Sequence, residues 1–97
     1  MLRDTKDPAE IITVGLDFAA LTASPSTPVV TVERDSGPAD ADPQAILSGG
    51  PQVSGSLVLQ RVVGGVAGCN YRIRVQVNAP DSSRYVEVLM LLVRAAG

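Results

Sequence analysis

Between Tyr71 and Arg94 the chain carries a pattern that few folds accept. Tyr71, Ile73, Val75 and Val77 alternate with Arg72, Arg74, Gln76 and Asn78, a period of two that gives an extended strand one apolar and one polar face. Asn78-Ala79-Pro80-Asp81-Ser82-Ser83 follows, where proline presets φ and the Asp, Asn and Ser side chains bond back to nearby backbone. Tyr85 to Arg94 then returns, apolar at almost every position. The pair predicts a β-hairpin. With a turn of six residues pairing Val77 to Val86, the residues Val86, Val88, Met90 and Leu92 share the core face with Tyr71, Ile73, Val75 and Val77. Tyr85, Glu87, Leu89, Leu91 and Val93 then face outward. A strand apolar on both faces is either buried on both sides or covered by a partner. No helical periodicity elsewhere offers a cover, so a partner is the expectation, with a loop or the N-terminal segment folding over as the alternative.

The rest of the chain reads as short strands between turn signals. Met1 to Glu10 has charges and no apolar face, which predicts an extended N-terminal arm over residues 1–10. Asp7-Pro8-Ala9-Glu10 can alternatively cap one short helical turn, with proline at its first position. Ile12, Val14, Leu16 and Phe18 alternate with Thr13, Gly15 and Asp17, a first strand with Phe18 in the core and Asp17 on the other face. Thr22 to Pro28 is a loop, and Val29 to Arg34 a strand with Val30 and Val32 on one side. Asp35-Ser36-Gly37-Pro38 is a turn. Ala45-Ile46-Leu47 is a short strand ended by Gly49-Gly50-Pro51, and Val53 opens another that bends at Gly55. Ser56 to Val63 is a clearer strand, with Leu57, Leu59 and Val62 inward. Five to seven such strands predict an all-β fold, a single antiparallel β-sandwich over residues 11–97.

Composition narrows the chemistry. Ninety-seven residues with three aromatics must build their one core from Val, Leu, Ile and Ala. A net charge of −2 argues against a general nucleic-acid binder. No histidine is present, which removes the usual general base and the commonest metal ligand. Cys69 stands alone, so it is expected as a small buried or loop residue rather than a nucleophile or zinc ligand. Asp35, Asp40 and Asp42 lack the spacing of a calcium loop and suit turns instead. Gly64, Gly65 and Gly68 precede a strand and no Lys-Ser/Thr pair, so they serve close packing rather than phosphate. Arg72 and Arg74 form a solvated strand face or meet acids on a partner. No catalytic activity, cofactor or metal is expected. The run Val86–Val93 is about half the length of a membrane-spanning helix and the N-terminus lacks signal-peptide character, so a protein made in a reducing cytoplasm is expected.

Two resemblances add to this. Gly68-Cys69-Asn70-Tyr71, followed by the alternating strand, resembles the start of the F strand in immunoglobulin-like and fibronectin type III domains, where a tyrosine corner sends its hydroxyl back to upstream backbone. Tyr71 would take that part. More broadly, Lys6-Asp7-Pro8-Ala9-Glu10, a strand ending in Leu16-Asp17-Phe18, and Gly64-Gly65-Val66-Ala67-Gly68-Cys69-Asn70-Tyr71 before a final hairpin are similar to small tailed-phage virion proteins of the fiber-tail adaptor and head-tail connection kinds. Phe18 and Val62-Val63 stand where that family carries tryptophans. The resemblance implies an immunoglobulin-like adaptor subunit in the neck or tail of a virion, made in the host bacterial cytoplasm. Its partners would be copies of itself in a ring and neighbouring portal, neck, tail or fiber proteins, without membrane or direct nucleic-acid contact. Leu89, Leu91, Val93, Arg72 and Arg74 would form the contact face, and Lys6 and Asp7 the arm that reaches a neighbour. The competing expectation is a fibronectin III-like or carbohydrate-binding recognition module, which needs exposed aromatics in its loops. Tyr85 alone offers one.

Overall fold

Residues 2–95 are described in a computed structural model, and seven strands account for most of them: β1 Leu2–Lys6, β2 Ile12–Asp17, β3 Ser26–Ser36, β4 Leu47–Ser54, β5 Leu57–Val62, β6 Asn70–Asn78 and β7 Arg84–Val93. A single 3-10 turn, Pro43–Ile46, leads into β4. One sheet has the order β1-β7-β6-β3 and the other β2-β5-β4. All pairings are antiparallel except β1 with β7. The fold is an all-β sandwich.

Period-two patterning decides what lies between the sheets. Val14, Leu16 and Phe18 point inward from β2 and its end, Val32 from β3, and Tyr71, Ile73, Val75 and Val77 from β6, all essentially buried. Asp17 faces out, where its Oδ1 accepts from the Ala19 amide at 2.8 Å and the Ser56 hydroxyl at 2.9 Å. That carboxylate ties the end of β2 to the β4–β5 hairpin.

The β6–β7 hairpin exists, but its parity is the opposite of the one expected. Ala79 N–H donates to Ser83 O at 2.7 Å and Ser82 N–H to Ala79 O at 3.1 Å, leaving Pro80-Asp81-Ser82 as a three-residue loop with Ser82 at φ 72. A type I turn followed by a left-handed residue is a standard three-residue hairpin connection. Asn78 therefore pairs with Arg84 and Val77 with Tyr85, one residue off the expected register. A slip of one exchanges every side chain between faces. Leu89, Leu91 and Val93 are core residues, not contact residues, with Leu91 and Val93 wholly buried. Val86, Val88, Met90 and Leu92 hold the outer face instead.

The N-terminal segment is also more ordered than expected. Leu2–Lys6 is a strand in parallel register with Leu89–Val93, extended by Arg94 N–H donating to Lys6 O at 2.9 Å. Lys6 is buried, and its Nζ donates to Asp7 O at 2.8 Å and Gly64 O at 2.6 Å. Burial pulls its pKa below the ordinary lysine value, against the opposing pull of Glu10 and Asp7. Beyond it, Glu10 N–H donates to Asp7 O at 3.0 Å, Asp7 N–H to Glu10 Oε1 at 2.7 Å and Ala9 N–H to Asp7 Oδ1 at 2.7 Å. The Glu10 carboxylate reaching back to the Asp7 amide is one half of a capping box, and the Asp7 carboxylate on the Ala9 amide completes the closure of a single turn. Backbone pairing and one long aliphatic stem supply the order that apolar side chains do not, so Lys6 and Asp7 belong to the domain rather than to a free arm.

A third correction concerns β5, whose inward residues are Val58, Gln60 and Val62, with Leu57 and Leu59 turned out. The inward amide has a purpose. Gly49-Gly50-Pro51 does not end a strand but sits inside β4, where the register with β5 shifts between Ser48 and Gln52. Such a bulge leaves carbonyls without ladder partners. Gln60 Nε2 donates to Gly49 O at 3.2 Å and to Arg61 O at 2.9 Å.

The two faces of β7 should respond differently to substitution. Leu91→Ala should lower the urea-unfolding free energy by about 2–5 kcal/mol, whereas Val88→Thr should cost less than about 1 kcal/mol. Equal losses would mean that both faces are core. At the hairpin, Ser82→Gly should raise stability by roughly 0.5 kcal/mol, because relief of the left-handed strain exceeds the added freedom of the unfolded chain.

Candidate interaction face

Strand registers place the outward side chains of the larger sheet in rows that run across three or four strands. Arg3, Met90, Arg72 and Glu33 form one row. Val88, Arg74 and Thr31 form the next, followed by Val86, Gln76 and Val29. On the other side lie Thr5, Leu92 and Asn70. Along β7 this makes an apolar stripe one strand wide, bracketed by β6 arginines and by Arg3 on β1. Val86 is 39% exposed and Val29 50%, large values for valine, while Val88, Met90 and Leu92 are half-buried. Arg72 pairs with Asp35 at 3.0 Å, both partly exposed. Arg3, Arg74 and Glu33 have no ion-pair partner among the described residues. The expected arginines are therefore on this face, beside a different set of apolar residues from those expected.

At one end of the sandwich Tyr71 organises the loops. Its ring is buried. Its hydroxyl accepts from the Val66 amide, five residues upstream, at 2.8 Å and donates to Asp40 Oδ2 at 2.6 Å. Gly65, at φ 96, runs so close that a Cβ would lie 2.9 Å from Val93 Cγ2. Gly64 presents its carbonyl to Lys6, and Gly68 N–H donates to Val93 O at 2.8 Å. Cys69 is buried, with its Sγ donating to Pro38 O at 2.9 Å. The glycine run thus packs between the tyrosine ring and the end of β7, and its contacts are structural.

Asp40 is the member of this cluster that sequence reasoning missed. Its carboxylate also accepts from the Asp42 amide at 3.0 Å. The Tyr71 hydroxyl, and then the Asp42 amide, hold its pKa below the ordinary carboxylate value. Burial, helped by Asp40, pushes the Tyr71 hydroxyl well above the ordinary tyrosine value. A loop acid 31 residues away in the chain has no local signature.

Chemistry-bearing arrangements are sparse elsewhere. Among the described residues no group of three or more Cys, Asp or Glu converges as a metal site. An open groove of about 360 Å³ on the outer face of the smaller sheet is lined by Thr13, Ser48, Gln52, Leu59, Arg61 and the Gly49-Gly50 backbone. Tyr85, the aromatic nearest the hairpin tip, is half-buried against the core. No family is matched by the chain, and neither a curated protein nor a solved structure is significantly similar to it.

The Tyr71 cluster has a definite pH signature. Asp40's depressed pKa gives stability that is fully present above the ordinary carboxylate value of about 4 and is lost as pH falls through the folded-state value. Tyr71's raised pKa gives stability present below about pH 10 and lost as pH rises through its folded value. Tyr71→Phe should cost about 1–3 kcal/mol at neutral pH by orphaning the Val66 amide, and should flatten the acid limb of a stability-versus-pH curve. An unchanged acid limb would mean that the Asp40 bond contributes nothing.

Proposed function

We propose that this chain is a non-enzymatic structural subunit that works by protein–protein contact through the outer face of the β1-β7-β6-β3 sheet. The observation that carries this is the stripe Val86, Val88, Met90 and Leu92, apolar side chains on a sheet face that no other element of the described chain covers. Val86 is exposed and the other three are half-buried, and a continuous, partly exposed apolar stripe rimmed by polar groups suits an interaction site. Joined to the resemblance of its Lys-Asp-Pro opening and Gly-Gly-x-x-Gly-x-x-Tyr motif, the reading is an adaptor subunit in the neck or tail of a tailed-phage virion. Copies in a ring would connect portal or tail components to tail fibers, with no cofactor and no chemical step. An immunoglobulin-like arrangement is part of this proposal, supported by the two-sheet division and by the bond from Val66 to the Tyr71 hydroxyl.

The decisive experiment mixes the purified chain with virion or tail extract lacking it and measures incorporation by sedimentation. Wild type should enter the particles, and Val88→Lys should not, while both melt at similar temperatures. A wild-type chain that ignores such particles would sink the adaptor reading and bring a recognition module forward.

A further inference from the structure

We infer that a second copy of this chain covers the outer face of the larger sheet, related by a two-fold axis running along the strands; the inference rests on the proposal that this face is a contact surface. Charge placement selects both the occupant and the axis. Across the sheet the order β1-β7-β6-β3 runs basic, apolar, basic, acidic, with Arg3, Met90, Arg72 and Glu33 in a single row. A two-fold axis along the strands reverses that order in the opposing copy. Arg3 then meets Glu33 of the second copy, and Glu33 meets its Arg3. Met90 meets the Arg72 stem and Val88 the Arg74 stem, aliphatic portions whose charged heads can reach water, and Val86 meets the uncharged Gln76. Arg3 and Glu33, exposed and without ion-pair partners within the described chain, gain partners.

The other face-to-face choice, an axis across the strands, stacks β7 on β7 and β6 on β6. That sets the Arg72 and Arg74 row against itself, and opposed like charges weigh heavily against a docking mode. Two sheets packed face to face with strands roughly aligned are a common arrangement. The contact is isologous and closes at two copies, so a ring of these subunits would be built from pairs.

Charge reversal tests the pairing with the full chain in sedimentation equilibrium at low salt. Wild type should dimerise reversibly. Arg3→Glu alone and Glu33→Arg alone each place like charges opposite one another twice per dimer, and each should weaken self-association at least about tenfold. An equimolar mixture of the two variants restores both opposite-charge contacts and should form a heterodimer about as tight as wild type. Both residues are exposed, so circular dichroism and melting temperature should match wild type for each variant. A mixture that associates no better than either variant alone would overturn the arrangement. So would wild type that stays monomeric to about 1 mM; if it still enters particles, the adaptor reading stands without the pairing. Heterodimer rescue without particle incorporation supports the pairing and removes the adaptor reading.

Discussion

One residue of hairpin register decides what this molecule can offer to another. The three-residue loop Pro80-Asp81-Ser82 sets Val77 opposite Tyr85, and period-two geometry carries that choice along all ten residues of β7. Leu89, Leu91 and Val93 thereby fill the core beside Ile73 and Tyr71, and the residues between them face solvent. Because β7 is apolar on both faces, either register would build a hydrophobic core. The turn breaks the tie. Pro80 favours the first position of a type I turn, and the Asp81 carboxylate accepts from the Ser83 amide at 3.0 Å. Ser82 tolerates the left-handed conformation that the third loop position demands.

The same strand anchors the polar closure of one sandwich end. Val93 N–H donates to Cys69 O, Gly68 N–H donates to Val93 O, and Arg94 Nη1 reaches Cys69 O at 3.2 Å. Around these, the Tyr71 hydroxyl and the Lys6 ammonium each bond to two groups on separate segments. Aromatic and lysine side chains do here what a larger apolar core would otherwise do, holding loops whose own residues are too small or polar to pack. A domain of this size has a limited core, and long side chains with polar tips extend it without leaving buried polar atoms unmatched. Gln60 does this only in part inside the smaller sheet: its Nε2 serves the β4 bulge, while its Oε1 is the one buried side-chain nitrogen or oxygen among the described residues without a hydrogen-bond partner.

Most of the architecture was legible in local pattern. Strict alternation in β2 and β6, glycine and proline punctuation, and the absence of helical spacing lead to a two-sheet β-sandwich, with Phe18, Val32 and Tyr71 buried as their periodicity implies. What local pattern did not reveal depends on partners distant in sequence. The inward turn of Gln60 answers carbonyls exposed by a bulge in another strand, so Leu57 and Leu59 look like the better core residues when β5 is read alone. β1 has no apolar face, and its order comes from a backbone ladder with the far end of the chain. Gly37 reads as a turn residue, yet a Cβ there would collide with the backbone of Gly68 and Cys69. At the candidate face the two-sided apolar character of β7 was visible, while which side faced out was not, because a six-residue turn cluster is compatible with two registers.

If the outer face is the contact surface proposed above, its layout limits what can dock there. An apolar surface four strands wide would stick to any exposed hydrophobic partner; here it is one strand wide. Arg72, Arg74 and Arg3 flank it, and Glu33 and Asp35 lie beyond on the sheet edge formed by β3. A partner that buries Met90 must also place something acceptable beside Arg72 and Arg74: an acid, or an uncharged surface that leaves the guanidinium groups in water. By charge alone, a basic surface would be repelled at the centre and an acidic one along β3. Specificity of this kind comes from the penalty on wrong partners as much as from the reward for the right one. Along the row Arg3, Met90, Arg72 and Glu33 the face runs basic, apolar, basic, acidic, an order that would favour a partner presenting it in reverse, as the second copy inferred above would.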